Sequence, residues 1–332
     1  MPARRINKRR HPMKSLHRWL YGLAATTLFA ATCPAEVSRV ELRPIPTTTL
    51  SDAQFLGNQA DAPTATIAGE LRIPKAGEKQ PVVILLHGSN GYIGYLEQWV
   101  NLLNEMGIAT FALDSLSGRN LQRVGDDQAS LGRLATTYDA YRALDLLAAD
   151  PRFDKERIVL MGFSRGGQAT LYAAMQRFRE MYEKPGNQFA GYIAFYPNCV
   201  TRYLDDTRLA ARPVRIFHGE ADDYNPVSAC RDYVERLRTA GADVSLVSYP
   251  GAHHVFDWDR LSVPAFNPKA QSARACQLRE TTPGRIINER TGEEFSYRDN
   301  CVQNGTTAAW EPKAAEAARS AVRALMTQWL QR

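Results

Sequence analysis

Between positions 82 and 247, short unbroken apolar runs alternate with longer segments in which apolar residues recur every three or four positions. The runs at 82–86, 108–113, 158–161, 192–195, 214–217 and 244–248 have the length and β-branched or aromatic content of strands buried on both faces. Between them, Leu134, Tyr138, Tyr141 and Leu144 fall at helical spacing, as do Tyr233, Leu237 and Ala240. Strand and helix in alternation predict an α/β domain with a mostly parallel central sheet and helices on both faces.

The margins of the chain depart from that rhythm. Residues 36–65 are rich in Pro, Thr and Ala and read as an N-terminal arm, with 66–73 as an edge strand before a domain spanning 66–332. After His254 the alternation stops for about 55 residues, a length that marks an insertion at about 257–311. Within it, 284–288 and 294–297 flank Thr291-Gly292 and predict a hairpin. An Ala-rich helix is expected over 312–330.

A chain of 332 residues with 44% hydrophobic content suits one large α/β domain. Its first 35 residues stand apart. Seven basic residues, from Arg4 to Arg18, precede an apolar run from Trp19 to Thr32 and small residues up to Ala35. This is the layout of a secretory signal peptide, and cleavage after Ala35 fits best. An uncleaved anchor and lipidation at Cys33 are the weaker alternatives.

Removing the segment changes the charge argument. The chain's 41 Lys and Arg become 34 against 35 Asp and Glu, a formal charge of −1. The basic character therefore belongs to the export segment, and a nucleic-acid partner is not expected. Four cysteines remain, and export to the periplasm, or beyond the cell, would oxidise them. Proximity in sequence favours Cys199–Cys230 and Cys276–Cys301. No paired C-x-x-C or clustered Cys/His spacing suggests a metal site.

The most specific local signal is Gly162-Phe163-Ser164-Arg165-Gly166-Gly167, placed after one expected strand and before a helical run. Such a turn pushes its serine out of the sheet at the N-terminus of a helix, where a base can reach the hydroxyl. An acid and a histidine then follow in chain order. Asp222 lies after the strand at 214–217 in Gly219-Glu220-Ala221-Asp222-Asp223, and is preferred to Asp223 by its place in the turn. His254 follows the strand at 244–248 and is preferred to His253 as the base. Acyl transfer also needs N–H donors for the developing oxyanion. The turn His87-Gly88-Ser89-Asn90-Gly91 and the serine elbow offer the amides of Ser89 and Arg165, with Gly88 as the substitute for the first. Tyr92, Asp114 and Arg119 are placed to border a substrate pocket.

With these residues in hand, the chain resembles the dienelactone hydrolase family of α/β-hydrolases. The resemblance rests on His87–Gly91, Ala112-Leu113-Asp114-Ser115, the Ser164 elbow, the Asp222 turn and His253-His254-Val255-Phe256. It implies an α/β-hydrolase fold and a carboxylic-ester hydrolase needing no cofactor, with a small-molecule ester as substrate. Founding members of the family use a cysteine nucleophile, so Ser164 points to its esterase branch. A peptidase or amidase of the same fold and a noncatalytic binding protein are the rival readings, separable by matched ester and anilide substrates and by turnover itself.

Overall fold

The computed structural model describes residues 36–59, 61–74 and 79–330. The export segment expected at 1–35 lies outside the described residues. In chain order the strands are β1 (Val37–Thr48), β2 (Thr64–Pro74), β3 (Gln80–Leu86), β4 (Ala109–Asp114), β5 (Phe153–Phe163), β6 (Gly191–Phe195), the two-residue β7 (Thr201–Arg202), β8 (Val214–Gly219) and β9 (Val244–Tyr249). The insertion adds β10 (Ala265–Ser272), β11 (Leu278–Thr282), β12 (Arg285–Asn288) and β13 (Gln303–Ala308). The helices are α1 (Asp52–Leu56), α2 (Gly94–Glu105), α3 (Ala135–Ala148), α4 (Arg165–Ala173), α5 (Gln176–Tyr182), α6 (Val227–Thr239) and α7 (Pro312–Leu330).

Eight strands form one sheet in the order β1-β2-β4-β3-β5-β6-β8-β9. From β4 to β9 the pairings are parallel, while β1 and β2 are antiparallel additions at one edge. Successive side chains of a strand point to opposite faces, and β3 divides accordingly. Val82, Ile84 and Leu86 join Tyr141, Leu144, Tyr172, Tyr233 and Leu237, from α3, α4 and α6, in one core. Val83 and Leu85 join Trp99, Leu103, Val322 and Met326, from α2 and α7, in the other. Two covered faces explain why the central strands read as unbroken apolar runs. The expected stripe on α6 ends one residue early, because Ala240 caps the helix and is exposed.

One expectation at the margins needs correction and another is incomplete. The strand at 66–73 is not the sheet edge, because β1 pairs outside it along almost its whole length. Pro44 and Pro46 made that segment read as a loose arm, but an edge strand tolerates residues that cannot donate to a ladder. The expected hairpin is one of two reversals. The chain turns at Thr291-Gly292, where Glu294 bridges Ile287 and the Phe295 N–H donates to the Ile286 carbonyl at 2.9 Å, and β12 also pairs with β11 across Pro283-Gly284, where Gly284 takes φ +90°.

The insertion is tied down at several points. β10 pairs with β13, and β11 pairs with β7, in the segment that follows β6. Disulfides join Cys276 to Cys301 within the insertion and Cys199 to Cys230 on α6, the two pairings expected.

Candidate active site

The parallel strands present their carboxyl ends along one edge of the sheet, where open α/β sheets gather functional loops. Ser164 stands there between β5 and α4 with φ +55° and ψ −114°, a conformation that costs a non-glycine residue energy. The neighbouring glycines make the turn possible. A Cβ on Gly162 would lie 2.1 Å from the Gly166 carbonyl oxygen, and one on Gly166 would lie 2.3 Å from that of Leu86. Close backbone packing thus holds the serine in its strained position.

The Ser164 hydroxyl lies 2.9 Å from Nε2 of His254, and Nδ1 of His254 lies 2.8 Å from Oδ2 of Asp222. With Nδ1–H donating to the carboxylate, Nε2 is left as the acceptor for the serine proton. Asp222 is fixed in turn by the N–H groups of Tyr224 and Asn225, each 2.9 Å from Oδ1. Burial alone would raise its pKa, but the adjacent His254 and His218 hold the carboxyl well below the usual range. His254 is itself clamped between the rings of Tyr196 and Tyr224, with centroids at 4.7 and 4.9 Å. Asp223 and His253 sit outside this chain of bonds: Asp223 accepts the Thr307 N–H at 2.8 Å and so anchors the insertion.

The other two histidines among the described residues tie loops together. Nε2 of His87 accepts the Ser115 N–H at 3.1 Å, so its proton sits on Nδ1, which donates to the Gly88 carbonyl at 2.7 Å. Burial lowers its pKa and favours that neutral form. His218 donates from Nε2 to the Asn225 carbonyl at 2.6 Å, bracing the loop that carries Asp222.

Arg165 opens α4, so its N–H has no acceptor within the helix. The Ser89 amide also makes no bond to a protein acceptor among the described residues. Gly88, the substitute donor, is already engaged, because its N–H donates to the Tyr95 hydroxyl at 2.7 Å.

A cavity of about 230 Å³ opens over Ser164 and His254. Its walls include Tyr95, Tyr196, Tyr224 and Trp258, while Ala265, Phe266, Asn267, Ala270, Thr306 and Ala308 come from the insertion. None of the three expected pocket residues lines it. Tyr92 donates to Glu97, Asp114 accepts the N–H groups of Leu116 and Ser117, and Arg119 forms a buried pair with Asp139 at 2.7 Å. The guanidinium of Arg165 likewise turns away to the carbonyls of Leu131 and Gln128. The aromatic walls escaped the sequence reading, although Tyr196 directly follows β6 and Tyr224 lies two residues after Asp222. Their place beyond strand ends was the available signal.

The fold and this constellation define an α/β-hydrolase. The model of the dienelactone hydrolase family matches residues 67–281, and the chain belongs to that family. It is therefore a hydrolase acting on esters. Among solved structures it is similar to a dienelactone hydrolase-like promiscuous phosphotriesterase from metagenomic libraries, with TM-score 0.55 and 18% identity over 88% of this chain and 99% of that one. It is also similar to a Klebsiella pneumoniae subsp. pneumoniae MGH 78578 protein assigned as a dienelactone hydrolase, with TM-score 0.50 and 18% identity over 87% of this chain and 98% of that one. At these identities the likeness is one of fold. No curated protein matches the chain.

Proposed function

We propose that the chain is an exported serine hydrolase that cleaves carboxylic esters through an acyl-enzyme. The observation that carries the reading is the continuous chain of bonds from Ser164 Oγ through His254 to Asp222, at 2.9 and 2.8 Å. In this mechanism His254 Nε2 takes the Ser164 proton as Oγ attacks the ester carbonyl, forming the new C–O bond. Asp222 holds the imidazole in the required tautomer and balances the imidazolium charge. The N–H groups of Ser89 and Arg165 receive the oxyanion, a service worth roughly 3–4 kcal/mol per donor. His254 then protonates the departing alkoxide, and a water molecule activated by the same nitrogen releases the acid. None of these steps calls for a cofactor.

Export is part of the proposal. Its support is the basic and apolar pattern of residues 1–35 together with the paired state of all four later cysteines. Among the described residues, no helix is long and apolar enough to cross a membrane. On this reading residues 36–332 form one catalytic domain, with the insertion as the wall of its substrate cavity.

Hydrolysis of p-nitrophenyl acetate by the mature chain tests the catalytic assignment. Ser164→Ala and His254→Ala are each expected to lose at least about a thousandfold in kcat at equal folded concentration. Wild-type turnover retained by Ser164→Ala would place the nucleophile elsewhere.

A further inference from the structure

A second cavity also reaches Ser164, and it differs from the first in size and chemistry. It measures about 10 Å³, and its walls include Arg133, Arg165, Gln168, Asn225 and Tyr224 beside Ser164 and Ser89. That is room for about one water-sized atom, enough for a single oxygen. The larger cavity has no Asp, Glu, Lys or Arg in its lining, whereas this pit has two arginines and several amide and hydroxyl side chains around it beside the ring of Tyr224.

The pit holds donors that lack acceptors. Gln168 is only 1% exposed, and its Oε1 accepts from Arg133 at 2.8 Å. A guanidinium only donates, so the amide orientation is determined: oxygen faces Arg133, and Nε2 is the free end. Nε2 has no acceptor among the described residues. Arg133 itself pairs with no carboxylate within ion-pair distance among them, and its other partner is the Tyr297 hydroxyl. A buried donor without a partner is costly, so the pit favours a group that brings an oxygen.

The direction in which an ester lies follows from the base. His254 must protonate the departing alkoxide, and His254 lines the large cavity but not the pit. The alcohol half therefore occupies the large aromatic cavity, and the acyl chain is left with the pit.

We propose that the site selects esters that join a short acid carrying an oxygen on its second carbon, a 2-hydroxyacyl or 2-oxoacyl group, to a bulky, uncharged, apolar alcohol. The proposal rests on the serine-esterase reading above. Gln168 and Arg133 are its acyl-specificity residues, and the insertion supplies its alcohol specificity.

Two comparisons with the full mature chain decide it. Benzyl acetate and methyl phenylacetate are isomers with alcohols of similar acidity, differing in which half is bulky. Benzyl acetate is expected to have a kcat/KM at least about tenfold higher. Benzyl glycolate is then expected to exceed benzyl acetate by at least about tenfold beyond the ratio of their alkaline hydrolysis rates, an excess that falls below about threefold in Gln168→Met. Equal or reversed rates for the isomers, or a glycolate advantage no larger than its alkaline reactivity, overturn the proposal, and both readings use wild type alone. If the wild type hydrolyses none of these esters and no p-nitrophenyl acetate, the esterase reading itself has failed and the substrate proposal falls with it.

Discussion

At the scale of single residues, the site depends on one strained serine and one buried carboxylate, Asp222, while a second buried carboxylate, Asp139, bears on stability. Asp222 is buried yet stays ionised, because His254 and His218 face it and two backbone N–H groups donate to it. A carboxylate with a depressed pKa contributes stability above its unfolded value and loses it only as pH falls through its folded value. Across pH of about 4 to 8 it therefore remains an anion. Asp222 should accordingly add no ionisation of its own to the kcat/KM profile for p-nitrophenyl acetate in this window, and two acid ionisations there would contradict the assignment. His253→Ala should stay within about tenfold of wild type in the same assay, where His254→Ala falls by about a thousandfold or more. Asp139 is the second case. It is fully buried and depends on Arg119, whose guanidinium meets both its oxygens at 2.7 and 2.8 Å, and on Thr47 at 2.7 Å. Arg119→Ala would strand that carboxylate, at a cost of about 3–5 kcal/mol in denaturant unfolding. Because Arg119 does not line the cavity, activity per folded molecule should hold.

At the scale of elements, the insertion joins stability to specificity. β13 runs beside His254, with the Ala309 N–H donating to the His254 carbonyl at 3.1 Å, and β10 and β13 together wall the cavity. The Cys276–Cys301 disulfide closes this segment on itself. Replacing both cysteines by serine should lower stability by roughly 2–4 kcal/mol in urea unfolding. It should also reduce kcat/KM for bulky esters more than for p-nitrophenyl acetate, and an unchanged ratio would free the insertion of its role in the cavity. The elements that sequence alone made legible are those with one dominant physical cause. The central strands β3, β4, β6 and β8 and the second half of β5 are apolar because both faces are covered, and the Ser164 elbow is marked by glycines that only a close backbone approach requires. β1 was obscured by prolines that an edge position tolerates. The Thr291-Gly292 reversal was legible in its turn residues, whereas β11 was not, because it is fixed by pairing with the distant β7 as well as with β12. Tyr92 and Asp114 lie beside the right strand ends, but local partners, Glu97 and the amides of Leu116 and Ser117, draw their side chains away. The cavity walls come from loops far apart in the chain, which no local pattern joins.

At the scale of the whole molecule, the eight-stranded sheet acts as a platform whose carboxyl edge gathers Ser89, Ser164, Tyr196, Asp222 and His254 from separate strands. One lateral edge of the sheet is closed by β1, which shields β2 and supplies Thr47 to the Asp139 pair. Deleting residues 36–49 would expose the β2 edge as an unpaired ladder. Such a chain should self-associate in size-exclusion chromatography with light scattering, and a stable monomer would show that β1 is dispensable. The platform's purpose, on the account proposed, is to hold one serine on a strained backbone, open to the cavity and beside its base. The most direct measurement of that claim is peptide mass mapping after treating the mature protein with a fluorophosphonate until hydrolysis of p-nitrophenyl acetate stops. The account predicts a single phosphonyl adduct on Ser164, absent from His254→Ala over the same interval. Loss of activity with the adduct on another residue, or full activity with Ser164 modified, would contradict it.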